Sequence, residues 1–294
     1  MIQEVEVKGI LNPVRQPDNW FGLKYNMNLY RGCQHRCIYC DSRSRCYQIE
    51  HFDRDVIVKV NAVDLLQEQL PRKRGRGTIG TGSMNDPYMP IEKQYNLAGR
   101  ALAVIAENRF PVHVITKSDL VLRDIDILEE ISQVFAAVSF TITAASDALG
   151  KKVEPGAPEV SRRLAAMGRL ADRGIDTGVL LMPVLPFIED HPENIREIVQ
   201  KAADHGASYV LPSLGMTLRD RQREYYYKKL DQLFPGTRNN YLKRFANRYF
   251  AEAQNSAVLN HALKEACRET GIRLSMPKFV PEKIFKNELQ MSMF

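Results

Sequence analysis

Cys33, Cys37 and Cys40 lie in the run Tyr30-Arg31-Gly32-Cys33-Gln34-His35-Arg36-Cys37-Ile38-Tyr39-Cys40-Asp41. Three thiolates on one short loop can grip three irons of a cubane iron–sulfur cluster. Such a cluster normally takes four cysteines, so three leave one iron open to a non-protein ligand. The same residues could also enter a zinc site completed by His35 or Cys46. Zinc ribbons bring two separated Cys-x-x-Cys pairs, however, and this chain has no second pair. Five cysteines, an odd number, without a secretory signal argue for reduced thiols rather than a disulfide framework. Cys46 reads as a spare thiol, a hydrogen donor, or an ordinary surface or core cysteine. Cys267 falls on an apolar helical face and is expected in the core.

The elements that must hold this loop follow a βα rhythm. Tyr25–Arg31 reads as a first strand and Ala62–Leu70 as its helix, so the cysteines fall at the strand's carboxyl end. Loops on that face carry active sites in βα folds. Strand-like segments recur at Thr78–Thr81, Val112–Thr116, Ala137–Thr143, Thr177–Met182 and Ser208–Leu211. Between them, apolar residues keep one helical face: Ile91, Tyr95, Ala98, Leu102 and Ile105, then Val160, Leu164, Met167 and Ala171. Ile195, Ile198, Val199, Ala202 and Ala203 repeat the pattern. Gly174 and Gly206 each close a helix just before the next strand. Repeated short βα units imply parallel strands. The expectation is an α/β fold, a partial (βα)6 barrel over residues 1–215 with an N-terminal extension. Residues 216–294 are expected as a C-terminal helical extension, helical from Leu218 to about Thr270, with a flexible tail.

The chain has 294 residues, 44% of them hydrophobic and 26% charged, as expected of a globular protein able to bury a large core. No apolar run is long enough to span a membrane and no leader pattern opens the chain, so the expectation is a cytoplasmic protein. A formal charge of +6 and a pI near 9.0 favour an anionic partner only modestly.

The spacing Cys33-x3-Cys37-x-Tyr39-Cys40, with its aromatic before the last cysteine, resembles the signature of the radical S-adenosylmethionine (SAM) superfamily. The barrel expected above is then of the radical SAM type. That resemblance implies a 4Fe–4S cluster on Cys33, Cys37 and Cys40, with SAM chelating the open iron. It implies an enzyme, fed by an external electron donor, that cleaves SAM to methionine and a 5′-deoxyadenosyl radical. From about Asn12 to Pro212 the chain is similar to the spore photoproduct lyase-like branch. The supporting pieces are Asn85-Asp-Pro-Tyr88-x-Pro-x-Glu92, Thr116-Lys117-Ser118 with Arg123-Asp124, Ser139-Phe-Thr-Ile-Thr143, Glu154-Pro155, Arg163, and Pro183-x-x-Pro186.

This branch implies roles for further residues. Ser83 or Asn85, in the turn after the second strand, would hold the methionine amino group, and Lys117 its carboxylate as a point charge. Ser139 and Thr141 alternate to one strand face and would meet the ribose hydroxyls. The main chain near Tyr39 would hold the adenine. Asn85 and Asp86-Pro87 are equally good turn formers, and Glu154 with Arg163 reads as a structural ion pair or as part of the pocket. One position departs from the branch: Ser83 falls where the lyase places its hydrogen-donor cysteine. A serine O–H is too strong to replace a thiol in that step, so the lyase's own reaction is not expected here.

Partners are read from charge and from the end of the chain. Arg72-Lys-Arg-Gly-Arg76 joins a helix to a strand, on the face away from the cysteines, and reads as a solvated loop. Arg244 and Arg248 are expected on one helical face beside Tyr241, Phe245 and Tyr249, which suits nucleic acid or an ordinary amphipathic helix equally. Gln290-Met-Ser-Met293-Phe294 resembles the short peptide that docks on the bacterial sliding clamp. The expected action is on nucleic acid, as repair or modification. The alternatives are a small-molecule or peptide substrate, or a non-catalytic metal-binding protein.

Overall fold

The computed structural model describes residues 1–16, 20–52 and 54–281. Its central sheet has seven strands: β1 (Leu11–Pro13), β2 (Tyr25–Met27), β3 (Ile79–Thr81), β4 (Val112–Thr116), β5 (Ala136–Thr141), β6 (Asp176–Leu181) and β7 (Tyr209–Pro212). They stand side by side in chain order, with β2 to β7 mutually parallel and β1 antiparallel on β2. An unbroken order of parallel neighbours is what successive βα units yield, because each crossover adds the next strand beside the last. The α/β fold with six parallel strands is thus the one expected from the sequence.

The helices between these strands are α1 (Ala62–Gln69), α2 (Leu97–Glu107), α3 (Ile125–Ser132), α4 (Asp147–Val153), α5 (Val160–Ala171) and α6 (Pro192–Asp204). Their apolar stripes close the main core. On α6, Ile195, Ile198, Val199 and Ala202 are buried, and Pro192 opens the helix where its missing N–H costs no hydrogen bond.

Two expected elements break, each for a local reason. The strand expected over Tyr25–Arg31 leaves the central sheet after Met27. Its last part, Tyr30–Arg31, pairs instead with Val56–Lys59, which also pairs with Ile2–Val5. Lys59 Nζ donates to the Asn28 carbonyl at 2.6 Å across this junction. Gly32 then turns at φ +82°, where a Cβ would lie 2.2 Å from the Asp55 carbonyl oxygen, so only glycine fits. The helical face over residues 91–105 breaks at Asn96, which is left-handed at φ +49°. The Glu92 carboxylate restarts α2 by accepting from the Leu97 and Ala98 N–H groups at 3.1 and 2.9 Å.

The region after Leu218 is only partly helical. It contains α7 (Gln222–Leu233), α8 (Thr237–Phe245) and α9 (Ser256–Thr270), and a short strand, Phe250–Glu252, that returns after α8 to pair antiparallel with Gly215–Thr217. Because α8 ends at Phe245, Arg244 and Arg248 do not share a helical face, and the Arg248 carbonyl accepts from Arg223. Tyr241 and Phe245 are buried while Tyr249 is exposed. Leu259, Leu263, Ala266 and Cys267 of α9 enter the main core, and Arg273 then bridges to Tyr209 beyond β7. Among the described residues no helix is long and apolar enough to cross a membrane. Gln290–Phe294 lies outside the described residues.

Candidate active site

The cysteine loop follows the first parallel strand and is pinned by main-chain bonds to the segment after α4. Ile38 N–H donates to Val153 O at 2.9 Å, and Gly156 N–H to His35 O at 2.9 Å. A Cβ on Gly156 would lie 2.3 Å from the Gln34 carbonyl oxygen, so this close approach requires glycine. The Gln34 side chain accepts from Ile91 N–H at 2.7 Å. Cys33 and Cys37 are buried and Cys40 is partly buried, whereas Cys46 is exposed with its sulfur 3.6 Å from Arg219 Nη1.

Burial pushes all three loop thiols up, Cys33 to about 12. The main chain at His35 and Asp86 beside Cys33, and at Ser42 beside Cys40, pulls the other way and favours the thiolate. Main-chain donors near the sulfurs suit iron-bound thiolates, whose charge the metal shares and the N–H groups stabilise. The Thr81 hydroxyl, buried at the carboxyl end of β3, has no hydrogen-bond partner among the described residues. The donor set and these donors fit an iron–sulfur cluster. His35 fits a metal ligand less well, because both ring nitrogens are engaged: Nε2 lies 3.0 Å from Asp86 Oδ2 and Nδ1 lies 3.1 Å from Gly156 O.

Two buried carboxylates organise the residues around the loop. Asp86, after β3, accepts from the Thr116 hydroxyl at 2.7 Å, from Lys117 N–H at 2.6 Å and from Tyr88 N–H at 2.9 Å. Burial alone would raise its carboxyl; His35 and these donors overcome that and hold it at about 2. Glu154, after α4, accepts hydrogen bonds from Tyr39 Oη and from Arg163 Nη1. Lys117 Nζ lies 3.8 Å from Glu154 Oε1 and 5.9 Å from the centre of the Tyr39 ring. Burial opposes the charge on Lys117, but Cys37 and Glu154 outweigh it and raise the ammonium group above its ordinary range. Arg163 also donates to Thr141 O at 3.0 Å and to Pro158 O at 2.7 and 2.9 Å, so it ties the carboxyl end of β5 to Glu154.

The structure therefore gathers Cys37, Tyr39, Asp86, Lys117, Glu154 and Arg163 at the carboxyl ends of β2 to β5. Thr141 joins them through its carbonyl. Asn85 is buried beside Asp86, while Ser83 is exposed and holds Asn26 at 3.0 Å and Asn28 at 3.4 Å. Ser139 sits deeper. It is two residues, about 7 Å, below Thr141 along β5, and its hydroxyl lies 2.8 Å from His113 Nε2 and 2.6 Å from Tyr209 Oη. Register explains the second bond: Ser139, Gly178 and Tyr209 form one row across β5, β6 and β7. A Cβ on Gly178 would lie 2.3 Å from the Tyr209 ring, so the glycine lets that ring cross to Ser139.

Sequence reading missed three contributors. Gln222, at the start of α7, donates to the Tyr39 carbonyl at 2.9 Å from 183 residues away. Arg43 stacks on Tyr225 of α7, its guanidinium 3.6 Å from the ring centre. Glu189, beyond β6, accepts from Thr143 Oγ1 at 2.8 Å and from Leu185 N–H at 2.9 Å. Burial, helped by the charges of Glu154 and Asp190, pushes its carboxyl up to about 8. Nothing in the local sequence around Gln222 marks it, whereas a glutamate within an apolar loop after a strand is a weak hint.

The chain matches the Radical SAM superfamily over residues 27–202. An uncharacterized protein of Mycobacterium tuberculosis (strain H37Rv) is 30% identical over 239 residues, covering 79% of this chain and 70% of that protein. An uncharacterized protein of Methanocaldococcus jannaschii is 35% identical over 191 residues, covering 64% and 70%. A radical SAM Nalpha-GlyT isomerase of Pseudomonas phage M6 is 24% identical over 156 residues, covering 53% of this chain and 32% of that protein. Among solved structures, spore photoproduct lyase complexed with a dinucleoside spore photoproduct superposes with a TM-score of 0.69 at 15% identity, covering 92% of this chain and 81% of the other. The fold is thus that of the lyase, and the matched span holds the cysteine loop and each residue gathered around it. The chain belongs to the radical SAM superfamily, enzymes whose cofactors are a 4Fe–4S cluster and S-adenosylmethionine.

Proposed function

We propose that Cys33, Cys37 and Cys40 hold a 4Fe–4S cluster and that the enzyme cleaves SAM to act on nucleic acid, in repair or modification. The observation that carries the first half is one short loop that brings together three free thiols, those of Cys33 and Cys37 buried and that of Cys40 partly buried. When bound, the cluster supplies the electron that splits SAM into methionine and a 5′-deoxyadenosyl radical. The chain's own residues bind and orient. Lys117, kept charged by Glu154, is assigned to the methionine carboxylate, and Asn85 or Ser83 to its amino group. The main chain at Tyr39, held by Gln222, is assigned to the adenine. Thr141 is the nearer candidate for the ribose. Ser139, with two of its three hydrogen-bonding positions taken, forms the floor beneath it.

Nucleic acid is supported by one structural neighbour. Spore photoproduct lyase binds a dinucleoside photoproduct. The reaction must differ from the lyase's, because the exposed hydroxyl of Ser83 stands where the resemblance places a donor thiol. Docking on the sliding clamp through Gln290–Phe294 rests on the peptide's sequence. Deleting Met293 and Phe294 should abolish clamp binding and spare SAM cleavage. The principal test is anaerobic reconstitution with iron and sulfide, then dithionite and SAM. Four irons per chain and 5′-deoxyadenosine are expected, both lost in Cys37→Ala. Zinc at the loop, or no 5′-deoxyadenosine from the wild type, would overturn the reading. Nucleic acid should accelerate cleavage; indifference to it would favour a small-molecule or peptide substrate.

A further inference from the structure

A groove of about 1070 Å³ opens at the opposite ends of the same parallel strands. Lys24 precedes β2, Lys73, Arg74 and Arg76 precede β3, and Arg109 precedes β4; Lys278 reaches the groove from beyond α9. Among the described residues that line it there is no Asp or Glu. Removing these six cations from the 41 Lys and Arg of the chain leaves 35, matching the 35 Asp and Glu. The formal excess of the whole molecule therefore equals the charge of this one groove.

Three of these cations are not held by acids among the described residues. Arg74, Arg76 and Arg109 are exposed, and among the described residues none has a salt-bridge partner. Lys24 donates to the Gly75 carbonyl at 3.1 Å, and Lys73 lies 5.6 Å from the Tyr25 ring centre. Gathering like charges in one concave surface is unfavourable unless an anion neutralises them. Phe135 and Phe279, both partly exposed, line the same groove beside the cations, while the Phe110 ring behind them is buried. The cations line a groove of far more volume than a single phosphate fills. They suit a run of phosphates, and the rings suit the bases between them.

We infer that this groove binds the phosphodiester backbone of a single-stranded nucleic acid, as an anchoring site separate from the cysteine loop. The inference rests on the reading that nucleic acid is the substrate. It adds that the polymer is also held at the face opposite the radical chemistry. β4 alone, five residues long, spans about 16 Å between the two faces. The anchored tract and the reacting nucleotide are then different parts of one strand.

The test is fluorescence anisotropy of the full chain on labelled single-stranded DNA and RNA oligonucleotides, across a series of salt concentrations. The variant Arg74→Gln/Arg76→Gln/Arg109→Gln should weaken binding by tenfold or more. The slope of log affinity against log salt should fall by about two, as expected for three lost phosphate contacts at about 0.7 each. The variant Arg244→Gln/Arg248→Gln, on the C-terminal region, should bind like the wild type, and thermal unfolding checks that both variants are folded. If the groove variant keeps wild-type affinity and slope while the other loses binding, the groove assignment is overturned and the nucleic-acid reading stands. If the wild type binds neither polymer, both are overturned. Capture on anionic lipid vesicles with no binding to either polymer would do the same.

Discussion

The two ends of one parallel sheet treat charge in opposite ways. At the carboxyl ends of β2 to β5, charged groups are buried and each is paired: Glu154 with Arg163 and Lys117, Asp86 with His35. At the amino ends, Arg74, Arg76 and Arg109 stand in solvent without acidic partners among the described residues. A buried charge is tolerated only with its partners in place, so it couples the site to the fold. An exposed charge contributes little to stability and remains available to a ligand. The contrast predicts that substitutions at the first end cost stability, while those at the second leave it nearly untouched.

The largest effect is expected at Arg163. Arg163→Met removes the main partner of a buried carboxylate and three further donors to Thr141 and Pro158 carbonyls, at a cost of about 3–5 kcal/mol. Urea unfolding measures it. Adding Glu154→Gln should recover part of the loss, because the stranded charge is then gone. A loss below about 1 kcal/mol would show that this pair does not couple the site to the fold.

Glu189 gives the next effect, and it depends on pH. Its carboxyl sits at about 8 in the folded chain against 4.5 ordinarily. Between those values the folded form holds a proton that the unfolded chain has released. Its contribution is therefore fully present below pH 4.5 and is lost as pH rises towards 8, by a few kcal/mol at about 1.4 per unit. Asp86 does not disturb this window. Its depressed carboxyl contributes fully above 3.8 and loses that contribution only as pH falls through about 2. Glu189→Gln should flatten the decline between pH 5 and 8 and be more stable than the wild type at pH 8. An unchanged slope would assign the decline to another group.

Gly178→Ala tests the row below the site. The new methyl would meet the Tyr209 ring at 2.3 Å and push it from Ser139, an overpacking worth about 1–3 kcal/mol. If Ser139→Ala is made first, the glycine substitution should cost less, since the bond it displaces is already gone. Strict additivity would mean that the ring does not move.

What could be read from the sequence follows the same division. The six parallel strands were legible because glycines such as Gly174 and Gly206 punctuate apolar runs, and the cysteine loop because its spacing is local. Burial on both faces made the strand ends legible to within two residues at β3 to β7. The split between Met27 and Tyr30 was not, since it depends on pairing with Val56–Lys59, which only the folded chain brings near. The Phe250–Glu252 strand was hidden in the same way, by a partner at Gly215–Thr217. Glu154 and Arg163, nine residues apart, were recognisable as a pair, but the hold of Gln222 on Tyr39 was not. Ser139 and Thr141 share a strand face, yet sequence alternation does not say that Ser139 lies a layer lower and bonds across a glycine to Tyr209. The basic run at residues 72–76 was visible, but the groove was not. Its other cations arrive from Lys24, Arg109 and Lys278.

The smallest effect is the one that most separates the two ends. Replacing Arg74, Arg76 and Arg109 together with glutamine removes three of the chain's positive charges, a larger change than at any buried site considered above. Each side chain is exposed and without an acidic partner among the described residues, so no ion pair is broken there and no cavity is left. What changes is repulsion among neighbours, which water and salt already weaken. Unfolding stability should therefore stay within about 0.5 kcal/mol of the wild type. If it moves, it should rise by a few tenths at low salt, and that gain should vanish once the Debye length falls to about 8 Å near 0.15 M salt. A loss of about 2 kcal/mol or more would mean that the arginines have structural partners, and the two ends would then not differ in kind.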